Sequence, residues 1–345
     1  MFVYLKLGVA AVAVVGMTAL GATTATAQSN ILKAETSNPC AEAHAMTVVL
    51  AKIFKQKLGI STQVNDSQTL TRSAMKLGRG QIDWMPLPPH IYFFMTKGAK
   101  MYKKKLSKAA PEAAKNIRAV FSYSAVLFHS VTFANNGIKT WADIKGKRVF
   151  TGPPSGSAGT NAEAMIKVIT GYSPNKDYTA IRLPWGSGLQ AMMDGKLDVY
   201  VRPAAPGSAQ IQQLGLSKKI RLLNAGDAVQ TPEWKKWGST PGRVTGVIPA
   251  GSYTGQVNSN ESITTGGAIF QMAVRKDMSA DLVYNMTKTL WANLDDIHKT
   301  AVTLKTIKAE TPFQGMLTPL HPGAVKYYRE KGLKIPARLI PPEAK

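Results

Sequence analysis

Cysteine is nearly absent from this chain, which has 345 residues and only Cys40. An internal disulfide is therefore excluded, and no set of cysteines is available for a structural zinc site. The fold must depend on an apolar core. A chain of this length with 44% hydrophobic residues can build one.

Catalytic motifs are also missing. The sequence contains no Gly-x-Ser-x-Gly, no His-Glu-x-x-His and no Gly-x-Gly-x-x-Gly. Its histidines are dispersed without metal-ligand spacing, at positions 44, 90, 129, 298 and 321. We therefore predict that the protein is not an enzyme and has no metal or cofactor. A hydrolase whose residues meet only in three dimensions is the alternative.

Acidic residues are scarce: 20 Asp and Glu face 43 Lys and Arg, a formal net charge of +23. Such a charge attracts anions and anionic surfaces. Nucleic acid is not expected, because the basic run is not interleaved with aromatic side chains on a recognisable nucleic-acid-binding module. The run is either a solvated face or a site that attracts an anionic ligand or acidic partner. Its members are Lys97, Lys100, Lys103, Lys104, Lys105 and Lys108.

The N-terminal residues 1–27 have the pattern of a signal peptide. Lys6 precedes an apolar run from Leu7 to Leu20, and Ala25-Thr26-Ala27 is typical of a cleavage site. We predict export to the periplasm and cleavage before Gln28. An uncleaved membrane anchor is the alternative, although the run is short for a bilayer-spanning helix.

Short strand patterns alternate with helix patterns, which indicates an α/β fold. Two similar segments, Gly80-Gln-Ile-Asp-Trp-Met and Gly195-Lys-Leu-Asp-Val-Tyr, indicate internal duplication. We predict a two-lobed clamp with long strands near 127–133 and 267–274 passing between the lobes. Lobe 1 would comprise residues 28–133 and 264–345, and lobe 2 residues 134–263. A ligand would lie between them, at the carboxyl ends of the strands.

The segment from Lys147 to Gly159 predicts a strand and a small-residue loop, with a helix from Thr160. Free backbone N–H groups and the helix dipole at such a junction attract an anion. No lysine stands where a nucleotide-hydrolysing loop has one. The loop can therefore bind an oxyanion without phosphoryl transfer.

Four motifs in order resemble the solute-binding proteins of tripartite ATP-independent periplasmic (TRAP) transporters, in the TAXI branch. They are Gly146-Lys-Arg-Val149 with Gly152-Pro-Pro-Ser-Gly-Ser-Ala-Gly-Thr160, then Leu189 to Asp198, Val247 to Gln256, and Leu320 to Glu330. The resemblance implies a type II-like periplasmic-binding-protein fold. It also implies delivery of a small anionic organic solute, of carboxylate type, to an ion-gradient-driven TRAP permease. A module presenting its ligand to a membrane sensor is the alternative.

The first loops differ from the family pattern, since Thr36 to His44 replaces Gly-Ser-x-Gly-Gly-Thr-Tyr and Ser67 to Leu70 replaces Thr-Gly-Gly-Ser. Solute specificity would lie there. We expect a monomer. The serines and threonines could be helix caps only, Arg202 a surface or hinge residue, and Trp185 part of the core. The candidate ligand-binding residues are Ser37, Asn38, Cys40, His44, Gln68, Thr69, Ser155, Gly156, Ser157, Ala158, Gly159, Thr160, Trp185, Tyr200 and Arg202.

Overall fold

The structure is a computed structural model that describes residues 31–39, 41–154 and 156–345, apart from the side chains of Ser124, Ala125 and Val302. The predicted signal peptide lies outside the described residues. Among the helices that the structure describes, none is long and apolar enough to cross a membrane.

The first module, residues 31–116, begins with three strand–helix units. Its first helix buries Met46, Leu50 and Phe54 on one side, as their spacing predicts. A long strand, β4, follows the module. These elements are β1 (Leu32–Glu35), α1 (Glu42–Leu58), β2 (Thr62–Asn65), α2 (Leu70–Gly78), β3 (Trp84–Leu87), α3 (Pro89–Thr96), α4 (Ala109–Ala114) and β4 (Ile117–Phe133).

The second module, residues 148–217, repeats the order of three strand–helix units. A short strand, β8, follows it. These elements are β5 (Arg148–Phe150), α5 (Ser157–Thr170), β6 (Thr179–Ile181), α6 (Trp185–Met193), β7 (Val199–Ala204), α7 (Ala209–Ser217) and β8 (Ile220–Leu222).

The remaining chain supplies the second long strand and the helices that cover the first module. These elements are α8 (Pro232–Gly238), β9 (Arg243–Ile248), β10 (Ile263–Arg275), α9 (Ala280–Ala292), α10 (Leu294–Thr300) and α11 (Pro322–Glu330).

All strands join one ten-stranded sheet with the path β2-β1-β3-β10-β4-β7-β5-β6. In each module the strands pair in parallel, and the third strand pairs antiparallel with a long strand: β3 with β10 and β7 with β4. The long strands pair antiparallel with each other, from Gly267 opposite Leu127 to Arg275 opposite Ile117. The predicted crossing strands are thus confirmed.

The duplicated segments occupy equivalent places. Asp83 precedes β3 and accepts a hydrogen bond from the backbone N–H of Lys33 at 2.6 Å. Asp198 precedes β7 and accepts one from the backbone N–H of Arg148 at 2.7 Å. Each aspartate therefore ties the third strand of its module to the first.

Buried apolar residues form separate cores on the two sides of the long strands. The section of β4 that ends at Tyr123 packs with the first module and the C-terminal helices. The section from Leu127 to Phe133 packs with the second module. A strand that contributes to both sets of cores has to be long, which explains the extended β pattern in the sequence.

Candidate functional site

A cavity of about 440 Å³ lies between the two modules, where the carboxyl ends of their strands face each other. Each of the six parallel strands contributes its end or the loop that follows it, and both long strands pass through the floor. The lining comprises Ser37, Asn38, Ala41, Glu42, Ala43, Ser67, Gln68, Thr69, Leu70, Thr71, Arg72, Pro88, His90, Val126, Phe128, Pro153, Pro154, Gly156, Ser157, Ala158, Asn161, Pro184, Trp185, Gly186, Arg202, Pro203, Ala268 and Phe270.

The amino terminus of α5 opens onto the cavity. Gly156 is its N-cap residue and provides no side-chain cap, and the first turn contains no acidic residue. Because these first N–H groups have no intrahelical acceptor, this end of the helix favours an anion. Ser157 and Ala158 also line the cavity. Gly152 in the preceding loop has φ +120°, a conformation that favours glycine.

Arg202, near the end of β7, is the second cationic feature of this wall. The residue is 2% exposed. Its Nη2 donates to Asn38 Oδ1 at 3.4 Å, while Nε and Nη1 have no hydrogen-bond partner. Among the described residues, no carboxylate forms an ion pair with it within 4.0 Å. Burial of an incompletely paired guanidinium is costly, so an anion here would be stabilised.

Trp185 covers the guanidinium of Arg202. The Arg202 Cζ lies 5.0 Å from the centroid of the Trp185 ring, within the range of a cation–π interaction. Phe150 meets the same ring edge-on, with centroids 5.7 Å apart. Since an aromatic ring covers its face, the guanidinium retains its edge for hydrogen bonding. That planar edge matches the two oxygens of a carboxylate or sulfonate.

Glu42 joins the modules close to Arg202. It lies in the first turn of α1, is 6% exposed, and its Oε1 accepts a hydrogen bond from the backbone N–H of Ala205 at 2.7 Å. Burial raises the pKa of this carboxyl, opposed by the Ala205 hydrogen bond and the positive charge of Arg202. The first module thus places its own carboxylate at a helix amino terminus, where the second module has none.

A buried histidine–tyrosine pair supports the end of β7. His129 stands opposite Arg202 in the β4–β7 ladder, and its Nδ1 contacts Leu127 O at 2.9 Å. Its Nε2 then accepts from the Tyr253 hydroxyl at 2.8 Å. Burial lowers the pKa of His129 to about 4, so the ring is neutral near pH 7. Tyr253 also accepts from the Gly207 N–H at 3.1 Å, which fixes the segment after Arg202.

A second polar chain crosses from one module to the other. Arg243 donates to Asn161 Oδ1 from Nε and Nη2, at 3.0 and 2.8 Å. This leaves the Asn161 amide nitrogen to donate to His90 Nε2 at 3.0 Å. Burial lowers the pKa of His90 to about 3. The neutral ring therefore carries its proton on Nδ1, which has no partner.

The floor of the cavity is apolar. Val126 and Phe128 come from β4, and Ala268 and Phe270 come from β10. Phe270 stacks on Tyr123 with ring centroids 5.8 Å apart. Cationic and polar groups at the walls with an apolar floor are typical of a site for a small organic molecule.

Most of the residues predicted from the sequence line this cavity: Ser37, Asn38, Gln68, Thr69, Gly156, Ser157, Ala158, Trp185 and Arg202. Cys40 and Ser155 lie outside the described residues. The structure does not place His44, Gly159, Thr160 or Tyr200 in the lining.

Each of these four residues lies within two positions of a lining residue in the chain. Tyr200 is fully buried and stacks on Phe150 with centroids 4.9 Å apart, because it stands two residues before Arg202 on β7. Gly159 and Thr160 follow the first two residues of α5, and His44 lies within α1. Contact at these positions stays a prediction, and Gly159 and Thr160 belong to the same first turn of α5 that opens onto the cavity.

Sequence reasoning missed His90, Asn161 and the apolar floor. Pro88-Pro89 ends β3 directly before His90, so the rule that ligands lie at strand carboxyl ends would have found that histidine. Asn161 depends on a contact with Arg243 across 82 positions, which no local pattern contains. The described residues include no group of His, Cys, Asp and Glu able to hold a metal ion.

Comparison with known proteins identifies the family of the chain. Residues 92–332 match the NMT1-like family, which is more than half of the chain. The chain belongs to the NMT1-like family. The match extends from α3 to the end of α11 and so includes the second module, both long strands and the C-terminal helices. The TAXI branch within TRAP proteins stays a prediction from the sequence motifs.

Solved structures place this NMT1-like chain in a known fold. A structure described as a periplasmic transporter matches with a TM-score of 0.53 and 13% identity, covering 88% of this chain and 93% of that one. Two others score lower. The alkanesulfonate-binding protein SsuA from Xanthomonas axonopodis pv. citri, bound to MOPS, gives 0.48 at 14% identity, with coverage of 91% and 97%. A TRAP solute-binding protein from Desulfovibrio salexigens with orotic acid gives 0.46 at 12%, with coverage of 88% and 94%.

The predicted fold class is therefore confirmed. The chain has a mixed α/β fold with two crossing strands, like that of the structure described as a periplasmic transporter. At these identities the likeness concerns the fold alone, so the solute has to be argued from the cavity.

Proposed function

We propose that this protein is a periplasmic solute-binding protein that captures a small organic anion in the cavity between its two modules. The observation that carries the proposal is Arg202, a buried guanidinium with two unpartnered nitrogens in the cavity wall. The open amino terminus of α5 is on the same wall and favours the same charge. The protein would bind and release its solute without chemical change.

The cavity accommodates a solute with distinct ends. A carboxylate or sulfonate would take the edge of Arg202 and the N–H groups of α5. Ser37, Asn38, Gln68 and Thr69 would supply uncharged hydrogen bonds from the first module. The apolar floor would cover a hydrocarbon or ring.

Binding would be coupled to closure of two lobes, residues 28–133 with 264–345 and residues 134–263. A solute shifts an open–closed equilibrium only if it binds the closed form more tightly. Contacts from both modules meet that condition, because a solute held by Arg202 and the first loops contacts both sides at once.

We propose, from the TAXI-like motifs in the sequence, that the protein delivers its solute to an ion-gradient-driven TRAP permease. The predicted signal peptide supports a periplasmic location. Genes for TRAP permease subunits beside the gene for this protein would support that assignment. A neighbouring gene for a membrane sensor would contradict it.

Calorimetry with matched compounds tests the anion proposal. Benzoate and benzenesulfonate share a ring with benzamide and benzylamine, and succinate and glutamate extend the set to flexible acids. We expect binding and a raised melting temperature with at least one of the anions, and none with benzamide or benzylamine. Equal responses to benzoate and benzamide would contradict the proposal.

A further inference from the structure

The lysine segment, residues 97–108, is a dense run of like charge on the described surface. Its six lysines at positions 97, 100, 103, 104, 105 and 108 are all exposed. No Asp or Glu occurs from residue 97 to 111. In the described part of the chain, none of these lysines takes part in an ion pair.

The backbone of this segment has a defined shape. Tyr102 is 1% exposed, and its hydroxyl donates to Thr71 O at 2.9 Å, which ties the segment to α2. Lys100 and Lys104 have φ of +52° and +64°, a left-handed conformation that is unfavourable for lysine. The surrounding contacts must hold this conformation in place. The lysines are therefore presented from an anchored loop.

We propose that the lysine segment binds the anionic headgroups of a phospholipid surface. Every cation in the segment is lysine, and none is arginine. Protein–protein interfaces are enriched in arginine and depleted in lysine, whereas clusters of about four to eight basic residues are typical of segments that bind anionic lipid. Half-buried Met101 and Leu106 lie among the lysines and can contact the headgroup boundary.

This surface is separate from the solute cavity, because none of the six lysines lines that cavity. Membrane binding would hold the protein near a membrane-embedded partner. The membrane proposal does not depend on the proposed solute, because its test uses a vesicle and needs no solute.

Vesicle sedimentation tests the proposal. The full-length mature protein is mixed with phosphatidylcholine vesicles that contain or lack phosphatidylglycerol. We expect binding only where phosphatidylglycerol is present. Replacing the six lysines by glutamine should weaken that binding by roughly tenfold or more. Raising the salt from about 0.05 to 0.5 M should weaken it too, because the Debye length shortens.

A matched control separates this segment from overall charge. It replaces an equal number of exposed lysines elsewhere, and these are Lys52, Lys55, Lys57, Lys235, Lys236 and Lys305. We expect this variant to lose far less binding. Equal losses in the two variants would overturn the proposal, as would an absence of binding to phosphatidylglycerol by the intact protein. Binding to immobilised polyglutamate without binding to vesicles would indicate an acidic protein partner and would also overturn it.

Discussion

The two modules have the same strand order but present opposite buried charges to the cavity. In the first module, Glu42 occupies the first turn of α1. In the second, α5 begins with glycine and small residues, and Arg202 lies beside it in the wall. The two modules thus share a topology but not their charges, and the two ends of the cavity differ electrostatically.

This charge difference predicts the orientation of a solute in the cavity. We expect the anionic end at the second module, where the buried Arg202 has two nitrogens without a hydrogen-bond partner. The first module offers hydroxyls and amides, the neutral His90 and the exposed Arg72. A cation at the first module would find Glu42, but that carboxylate already accepts the Ala205 N–H. Because Arg72 is exposed and solvent screens its charge, we expect charge selectivity to come mainly from the buried Arg202, and shape and hydrogen bonding to matter more at the first module.

Of the changes considered, removal of the Arg202 charge should reduce anion affinity most strongly. Arg202→Met keeps an unbranched side chain in the same place and removes the charge. We expect affinity for the bound anion to fall by about 2 kcal/mol or more, roughly thirtyfold, in calorimetry. The control is Arg221→Gln, on β8 and outside the cavity lining. Unchanged affinity in Arg202→Met would remove this residue from the site.

Glu42→Gln should make the first module resemble the second. Glutamine keeps an oxygen that can accept the Ala205 N–H, but removes the negative charge near Arg202. Anion affinity should rise on the order of 1 kcal/mol near neutral pH. Glu112→Gln, an exposed change, is the control.

The pH dependence of the melting temperature of Glu42→Gln gives a second test of the role of Glu42. Because burial raises the pKa of Glu42, its ionisation destabilises the folded state as pH rises through that pKa. The variant should therefore gain melting temperature relative to the native protein near pH 7, and lose this advantage below about pH 4, the ordinary range of a glutamate. An advantage independent of pH would show that ionisation of Glu42 is not the cause.

Two serine variants, one in each module, compare the contributions of the two cavity walls to anion affinity. Ser157→Ala, at the start of α5, should weaken anion binding on the order of 1 kcal/mol if its hydroxyl donates to the solute. Ser37→Ala, in the loop after β1, should have a smaller effect on the same anion, because that wall takes the uncharged part. Calorimetry of both variants decides the point, and a larger loss in Ser37→Ala would reverse the proposed orientation.

The smallest expected effect on binding comes from Asp198, which lies outside the cavity lining. Hydrogen bonds from the Arg148 side chain hold the pKa of Asp198 below its usual range. Its stabilisation is present above about pH 4 and is lost as pH falls through the lowered pKa. Asp198→Asn should lower the melting temperature near pH 7 and approach the native value in strong acid. A difference that stays constant with pH would contradict this.

Local patterns predicted the architecture well. Apolar spacing located α1, and the repeated Gly-x-apolar-Asp segments marked equivalent strands in the two modules. The long β-like runs predicted β4 and β10. These features are visible because each depends on neighbours in the chain.

The site was only partly predictable. Strand ends and small-residue loops pointed to Ser157, Trp185 and Arg202. The partner of Glu42 lies 163 positions away, and the tautomer of His90 follows from an arginine on β9 through Asn161. Such relations arise only when distant segments pack. For Tyr200 the local pattern was misleading instead. Alternation along β7 predicted that Tyr200 shares a face with Arg202, but it could not predict that Tyr200 is fully buried against Phe150.

The ladder between β4 and β10 also restricts how the modules can approach each other. Sliding one long strand along the other by a single residue would turn every side chain to the wrong face, so translation is excluded while the pairing lasts. Rotation is the motion that remains. The ladder is irregular between Ile269 and Phe270, and again between Met272 and Ala273. Such irregularities increase local twist, and Phe270 borders the cavity. One of the two irregularities, and the local bend that it introduces, therefore lies at the floor of the cavity where a captured solute would rest.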